Sequence, residues 1–224
     1  LNFEIKSFHV DIKGYIVIYT NDSSITVYKT YNIFNATSKV PSPPSSKIIP
    51  LFRKSVNCIA TSTIFDLIVC GTKDNNLLFL KLNMDKCNVD KVIETRGKPK
   101  IISISKSFGF VSVYMNDRHE IALYSINGEL IKSASTKNIN IVIMECVISI
   151  PGHFDYSIVA DDNNCIYIFE TFELNIGEPL FKCQSKIKKL VYIKEESLIM
   201  AYCENGHIYV KYYHINDPSK KIFE

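Results

Sequence analysis

Tryptophan is absent from the 224 residues, and glycine and proline are sparse at eight each. That scarcity excludes a collagen-like or linker-like chain, and 46% hydrophobic with 22% charged residues are ordinary globular values. No apolar run approaches the ~18 residues of a membrane-spanning helix. The first residues, Leu1-Asn2-Phe3-Glu4-Ile5-Lys6, lack the apolar core and cleavage site of a signal peptide. They do not start with methionine either, so the chain is expected to be a piece of something longer.

The glycines stand singly, so no GxGxxG, Walker loop or GxSxG is present to cradle a phosphate or present a nucleophile. Seven cysteines include no CxxC, and most lie inside apolar runs such as Ile68-Val69-Cys70 and Ala201-Tyr202-Cys203. They read as buried free thiols in a reducing compartment. The five histidines form no HExxH and pair with no cysteine at zinc-ligand spacing. A net charge of +3 is too mild to point to nucleic acid. Tyr209, Lys211, Tyr212 and Tyr213 come nearest to a basic-aromatic surface. At strand spacing, however, Tyr209 and Lys211 share one face and Tyr212 the other, which favours packing. No catalytic constellation, cofactor or metal is predicted.

What the chain has is repetition. A β-branched and aromatic run, a polar turn and a second such run occur five times. The first copy is Tyr15 to Tyr19, turn Asn21 to Ser24, then Ile25 to Tyr28. The second is Leu67 to Gly71, turn Lys73 to Asn76, then Leu77 to Leu80. Gly109 to Tyr114 and Ile121 to Ile126 flank the third turn, Tyr156 to Ala160 and Cys165 to Phe169 the fourth, and Leu198 to Tyr202 and His207 to Val210 the fifth. The turn markers Asp22, Asp74, Asp117, Asp162 and Asn205 are 52, 43, 45 and 43 residues apart. The long first step contains the Pro/Ser-rich loop 38–50.

A period of about 40 to 45 residues carrying four strands is that of a WD40-type blade. The middle strands are almost continuously apolar, as strands covered on both faces must be. The expected fold is therefore all-β: a WD40-like β-propeller of four-stranded antiparallel blades over residues 1–224, about five of them visible. Approximate blades are 5–50, 55–97, 99–138, 140–184 and 186–215. A seven-bladed ring needs about 300 residues at this period, so two blades would be missing or unrecognised.

Finer expectations follow. First strands fall at Val56 to Ala60, Ile101 to Ser105, Ile141 to Val147 and Ile187 to Ile193. Fourth strands fall at Val89 to Glu94, Glu129 to Ala134 and Pro179 to Cys183. Asn127-Gly128 predicts a two-residue type I′ hairpin, which needs positive φ at both residues. Because no Trp-Asp ends a third strand, the blades are expected to be held by apolar packing without a buried polar network. Asp161-Asp162 is the one adjacent carboxylate pair in the turns between second and third strands, and Asp-Asp-Asn-Asn reads as hairpin turn chemistry before it reads as a cation site. The rim turns offer the candidate interaction residues Asp22, Lys73, Asp74, Asp117, Arg118, Asp161 and Asp162, since loops on a rigid frame vary freely.

Between Val56 and Val210 the motifs fall in a familiar order. Val56-Asn57-Cys58-Ile59-Ala60 precedes Ile68-Val69-Cys70-Gly71-Thr72-Lys73-Asp74. Phe108-Gly109-Phe110-Val111 and Leu123-Tyr124-Ser125-Ile126-Asn127-Gly128-Glu129-Leu130-Ile131 follow, then Phe154-Asp155-Tyr156, Asp161-Asp162-Asn163 and Phe172-Glu173-Leu174-Asn175-Ile176. This series resembles the C-terminal WD40-like propeller of BEACH-domain-containing proteins, the neurobeachin and lysosomal trafficking regulator family. The resemblance implies a non-enzymatic scaffold of vesicle and membrane trafficking, cytoplasmic or peripheral to intracellular membranes. Its partners would be proteins, including a BEACH domain upstream in the full-length polypeptide, and not nucleic acid. It carries over no residue-level site. The alternatives are an adaptor propeller of a ubiquitin ligase or coat and, less in keeping with the residues, a propeller enzyme.

Overall fold

The computed structural model describes residues 56–62, 64–83, 86–147 and 155–213, together with the backbone of four earlier strands; side chains of 82–88 are excluded. The described residues contain no helix. Two compact units divide the chain, Leu1–Pro99 and Lys100–Glu224.

The first unit holds two antiparallel meanders. One runs in the order β1 (Ile5–Val10), β2 (Tyr15–Thr20), β3 (Ile25–Lys29) and β4 (Ser46–Ile48). The other comprises β5 (Val56–Ser62), β6 (Leu67–Thr72), β7 (Asn76–Asn83) and β8 (Lys86–Glu94). Every residue of β6 is buried, so its two faces are both covered. That explains a run, Leu-Ile-Val-Cys-Gly-Thr, with no polar alternation. Gly71 has a separate reason to lack a side chain. A Cβ there would lie 2.5 Å from Pro99 Cβ and 2.7 Å from Cys58 Sγ.

The second unit stacks three sheets. The first comprises β9 (Pro99–Ile104), β10 (Val111–Met115), β11 (Glu120–Tyr124) and β12 (Leu130–Ser135). The next has β13 (Ile141–Val147), β14 (Tyr156–Asp161), β15 (Cys165–Glu170) and the short β16 (Phe181–Lys182). The last has β17 (Ile187–Ile193), β18 (Leu198–Cys203) and β19 (Ile208–Tyr212), three strands among the described residues.

Alternate residues of the middle sheet feed two different cores. Val159, Tyr167 and Phe169 join Tyr114, Ile121 and Leu123 of the preceding sheet. Ile158, Ala160 and Ile166 join Leu190, Ile199 and Ala201 of the following one. Each fully buried side chain of this size contributes roughly 1.5–3 kcal/mol, so both faces of β14 and β15 hold the stack together. The outward face of the last sheet differs: Val191, Tyr202, Ile208, Val210 and Tyr212 remain exposed.

The turns between second and third strands share one device. A left-handed residue precedes the third strand: Asn75 (φ 58°), His119 (φ 47°), Asn164 (φ 65°) and Gly206 (φ 84°). The corresponding turn of the first meander, with Asp22, lies outside the described residues. A similar device corrects the hairpin expectation. At Asn127-Gly128 only Gly128 is left-handed, φ 75°. The Gly128 N–H donates to the Ser125 carbonyl and the Ser125 N–H to the Glu129 carbonyl, both at 2.9 Å. This is a longer loop closed by a glycine bulge, and the register slips between Leu123 and Tyr124. The Ser125 hydroxyl decides the outcome, accepting from the N–H groups of Asn127 and Glu129 at 3.2 Å each. Type I′ geometry would have drawn on two residues alone and left that cap unused.

Candidate interaction surfaces

The seven candidate residues do not share one fate. Lys73 and Asp74 are exposed at the β6–β7 turn, and Asp117 and Arg118 at the β10–β11 turn. Asp162 is exposed at the β14–β15 turn, whereas its neighbour Asp161 is 3% exposed. One Asp161 oxygen accepts the N–H groups of Asn163 (3.0 Å) and Cys165 (2.7 Å), and the other accepts the Tyr167 hydroxyl at 3.0 Å. That carboxylate is committed to shaping its own turn, and burial beside it pushes the Tyr167 phenol well above its ordinary range.

In the second unit the structure links two of these turns through residues that sequence reasoning passed over. Lys100, at the start of β9, donates from Nζ to Asn116 Oδ1 (3.3 Å) and Asn140 Oδ1 (3.4 Å). Asn140, just before β13, donates in turn to Asp162 Oδ2 at 2.7 Å. The Tyr114 hydroxyl lies 3.3 Å from the Ile139 carbonyl and donates into the same cluster. The turns carrying Asp117-Arg118 and Asp162 are thereby joined at one end of two neighbouring sheets. Spacing along one strand pair could not reveal this, because Lys100 and Asn140 belong to the entries of successive blades.

A buried polar network corrects the expectation of purely apolar packing. Between the β9–β12 and β13–β16 sheets, the Cys146 N–H donates to Ser103 Oγ at 2.8 Å. Cys146 Sγ lies 3.3 Å from Ser157 Oγ, which is 2.8 Å from Thr171 Oγ1. Asp155, wholly buried, accepts from the Ser105 hydroxyl and from the Ser107 N–H at 3.2 Å. Burial pushes the Cys146 thiol up, with the Ser103, Ser157 and Ser112 hydroxyls pulling back, so it stays a protonated packing group and not a nucleophile. The physical reason for the network is that small hydroxyls inside apolar strands must pair when desolvated. Their only sequence signal was that several serines stand in strands otherwise made of large residues.

The three first strands of this unit also frame a groove of about 290 Å³. Lys106, Glu145, Lys189 and Lys194 line it together with Val191 and Tyr192. Withdrawal from water pushes the Glu145 carboxyl up, while Lys106 and Lys189 pull it back. Glu145 nevertheless still meets solvent at the groove mouth. Among the described residues no three His, Cys, Asp or Glu side chains converge as metal ligands, and no helix is long and apolar enough to cross a membrane. Tyr209 and Lys211 pack inward: the Tyr209 hydroxyl accepts the Gln184 N–H, and the Lys211 ammonium donates to the Leu180 carbonyl beside the Phe181 ring.

Stacked antiparallel meanders of three or four strands, repeated every 40 to 50 residues, define a β-propeller. Solved structures agree. The chain superimposes on BBS1N in complex with ARL6DN with a TM-score of 0.68 in a mercury-soaked crystal, at 13% identity, covering 91% of this chain and 63% of that one. In a lead-soaked crystal of the same complex the score is 0.70, with 13% identity and coverages of 93% and 62%. The computationally designed Ika8 protein matches with a TM-score of 0.64 and 11% identity, over 94% of this chain and 58% of that one. The chain thus spans about three fifths of the structures it matches. No protein-family model matches, nor does any curated protein. At such identities the likeness concerns the fold.

Proposed function

We propose that this chain is a non-enzymatic protein-interaction module, the propeller of a BEACH-type scaffold in vesicle and membrane trafficking, working in the cytoplasm or at the surface of intracellular membranes. The observation that carries the reading is the joining of exposed turns, Asn116 to Arg118 and Asp162, onto a frame whose strands are buried on both faces. Such a frame holds a surface in place at little entropic cost to a partner. The ordered series of motifs from Val56 to Val210 supports the BEACH-type assignment. That a propeller of similar fold, BBS1N, is found in complex with ARL6DN supports protein partners in general. Lys73 and Asp74 stand on an exposed turn of the first unit, proposed as an interaction turn in its own right, while Asp161 serves within its turn.

Two measurements test this. An antibody against the segment should detect a native polypeptide of several hundred kilodaltons whose tryptic peptides include a BEACH domain; a band near 25.6 kDa would remove the scaffold assignment. Reversing charge at Lys73, Asp74, Asp117, Arg118 and Asp162 together should abolish capture of the partners that co-purify with that polypeptide. Unchanged capture would refute the rim assignment.

A further inference from the structure

The groove between the ends of β9, β13 and β17 has a charge pattern that the rim does not account for. Among the described residues the ammonium groups of Lys106, Lys189 and Lys194 make no ion pair and no hydrogen bond. Other lysines of this unit do find partners: Lys132 meets Glu173 at 3.7 Å and Lys188 meets Glu204. Three cations are thus held around a concave surface that contains one carboxylate, Glu145. Low-dielectric walls concentrate the field of such a cluster on whatever enters it. Glu145 itself remains exposed to solvent beside these cations.

We infer that this groove is a docking site for an acidic linear segment of a partner protein, whose carboxylates engage Lys106, Lys189 and Lys194. A groove of about 290 Å³ has room for a few side chains of an extended segment. Val191 and Tyr192 supply apolar wall for the stems of glutamate side chains, as a peptide would use and a bare phosphate would not. Glu145 sets a limit on affinity by repelling the incoming carboxylates, which makes it the position where substitution should strengthen binding. The inference rests on the reading of the chain as an interaction module, but uses a surface separate from the rim turns.

The test is fluorescence anisotropy of a fluorescein-labelled hexaglutamate peptide titrated with the full chain. Saturable binding that weakens with added salt is expected, because exposed ion pairs are screened. Lys106→Glu and Lys189→Glu should each weaken it roughly three- to tenfold, and Glu145→Gln should tighten it by about threefold, in line with the energies of exposed charge pairs. Lys137→Glu and Lys182→Glu, exposed and outside the groove, should leave it unchanged. Unchanged thermal melting of the variants establishes that folding is not the cause. Absence of saturable binding, equal loss at the outside lysines, or no gain from Glu145→Gln would overturn the inference. So would an oligothymidylate binding as tightly as the peptide, since that would make the groove a phosphate site. Rim-dependent partner capture is measured separately, so failure here and failure of the module reading give different results.

Discussion

Replacing Asp155 with alanine should destabilise the second unit substantially. Its carboxylate is wholly buried and accepts from the Ser105 hydroxyl and the Ser107 N–H, tying the β13–β16 sheet to the segment that leaves β9. The Asp155 carbonyl also accepts the Thr171 N–H at 2.8 Å, but alanine keeps that bond. Hydrogen bonds to a charged acceptor are worth about 1.5–3 kcal/mol each. Two of them, less the relief of removing a charge from the interior, leave a net loss of about 3 kcal/mol. For a chain of this size that corresponds to a melting shift of roughly 6–12 °C. Asp155→Asn keeps one acceptor oxygen and should cost only about 1 kcal/mol. The assay is urea unfolding followed by circular dichroism, with Ser105→Ala and the double variant completing a cycle. A coupling of about 1–3 kcal/mol is expected. Loss under about 0.5 kcal/mol for Asp155→Ala, or additive single effects, would refute the claim that this contact joins the sheets.

Other outcomes follow from single sites. Gly71→Ala should cost about 1–3 kcal/mol by driving a methyl into Pro99 and Cys58, whereas Gly177→Ala, with nothing within 4 Å, should be close to neutral; equal unfolding midpoints would contradict the packing argument. His119→Gly should stabilise by about 0.5–1 kcal/mol, since φ is 47° and the buried His119 Nδ1 has no hydrogen-bond partner; a lower urea midpoint would count against it. Burial pushes the Cys58 thiol from 9.0 to about 12, and Cys183, beside Cys203, also to about 12. A folded-state value raised in this way contributes stability that is complete below the ordinary thiol range and lost as pH climbs through 9.0 toward 12. Urea midpoints should therefore fall between neutral pH and about pH 10.5, and less steeply in Cys58→Ala; a flat profile would show that the thiol is not desolvated.

By itself the sequence determined the strands, their grouping and the turns that divide them. Runs such as Leu67-Ile68-Val69-Cys70 and Ile158-Val159-Ala160 are apolar at consecutive positions because both faces of their strands are covered. That pattern survives in the sequence because both of its causes, β propensity and two-sided burial, act residue by residue. Asn75, Asn164 and Gly206 were legible as turn residues for a similarly local reason, their tolerance of left-handed backbone. Tertiary structure alone decided where the polar groups go. Asp161 and Asp162 are adjacent and alike, yet one turns inward to Tyr167 and the other outward to Asn140. Ser103, Ser105 and Asp155 look unremarkable along the chain and become a buried bridge only when two sheets meet. Lys106, Glu145 and the pair Lys189 and Lys194 come from stretches tens of residues apart and share a groove because three first strands end side by side. Hydrogen bonds and charge fields depend on distances of a few ångströms between groups far apart in sequence, and only the packing of sheet on sheet sets those distances.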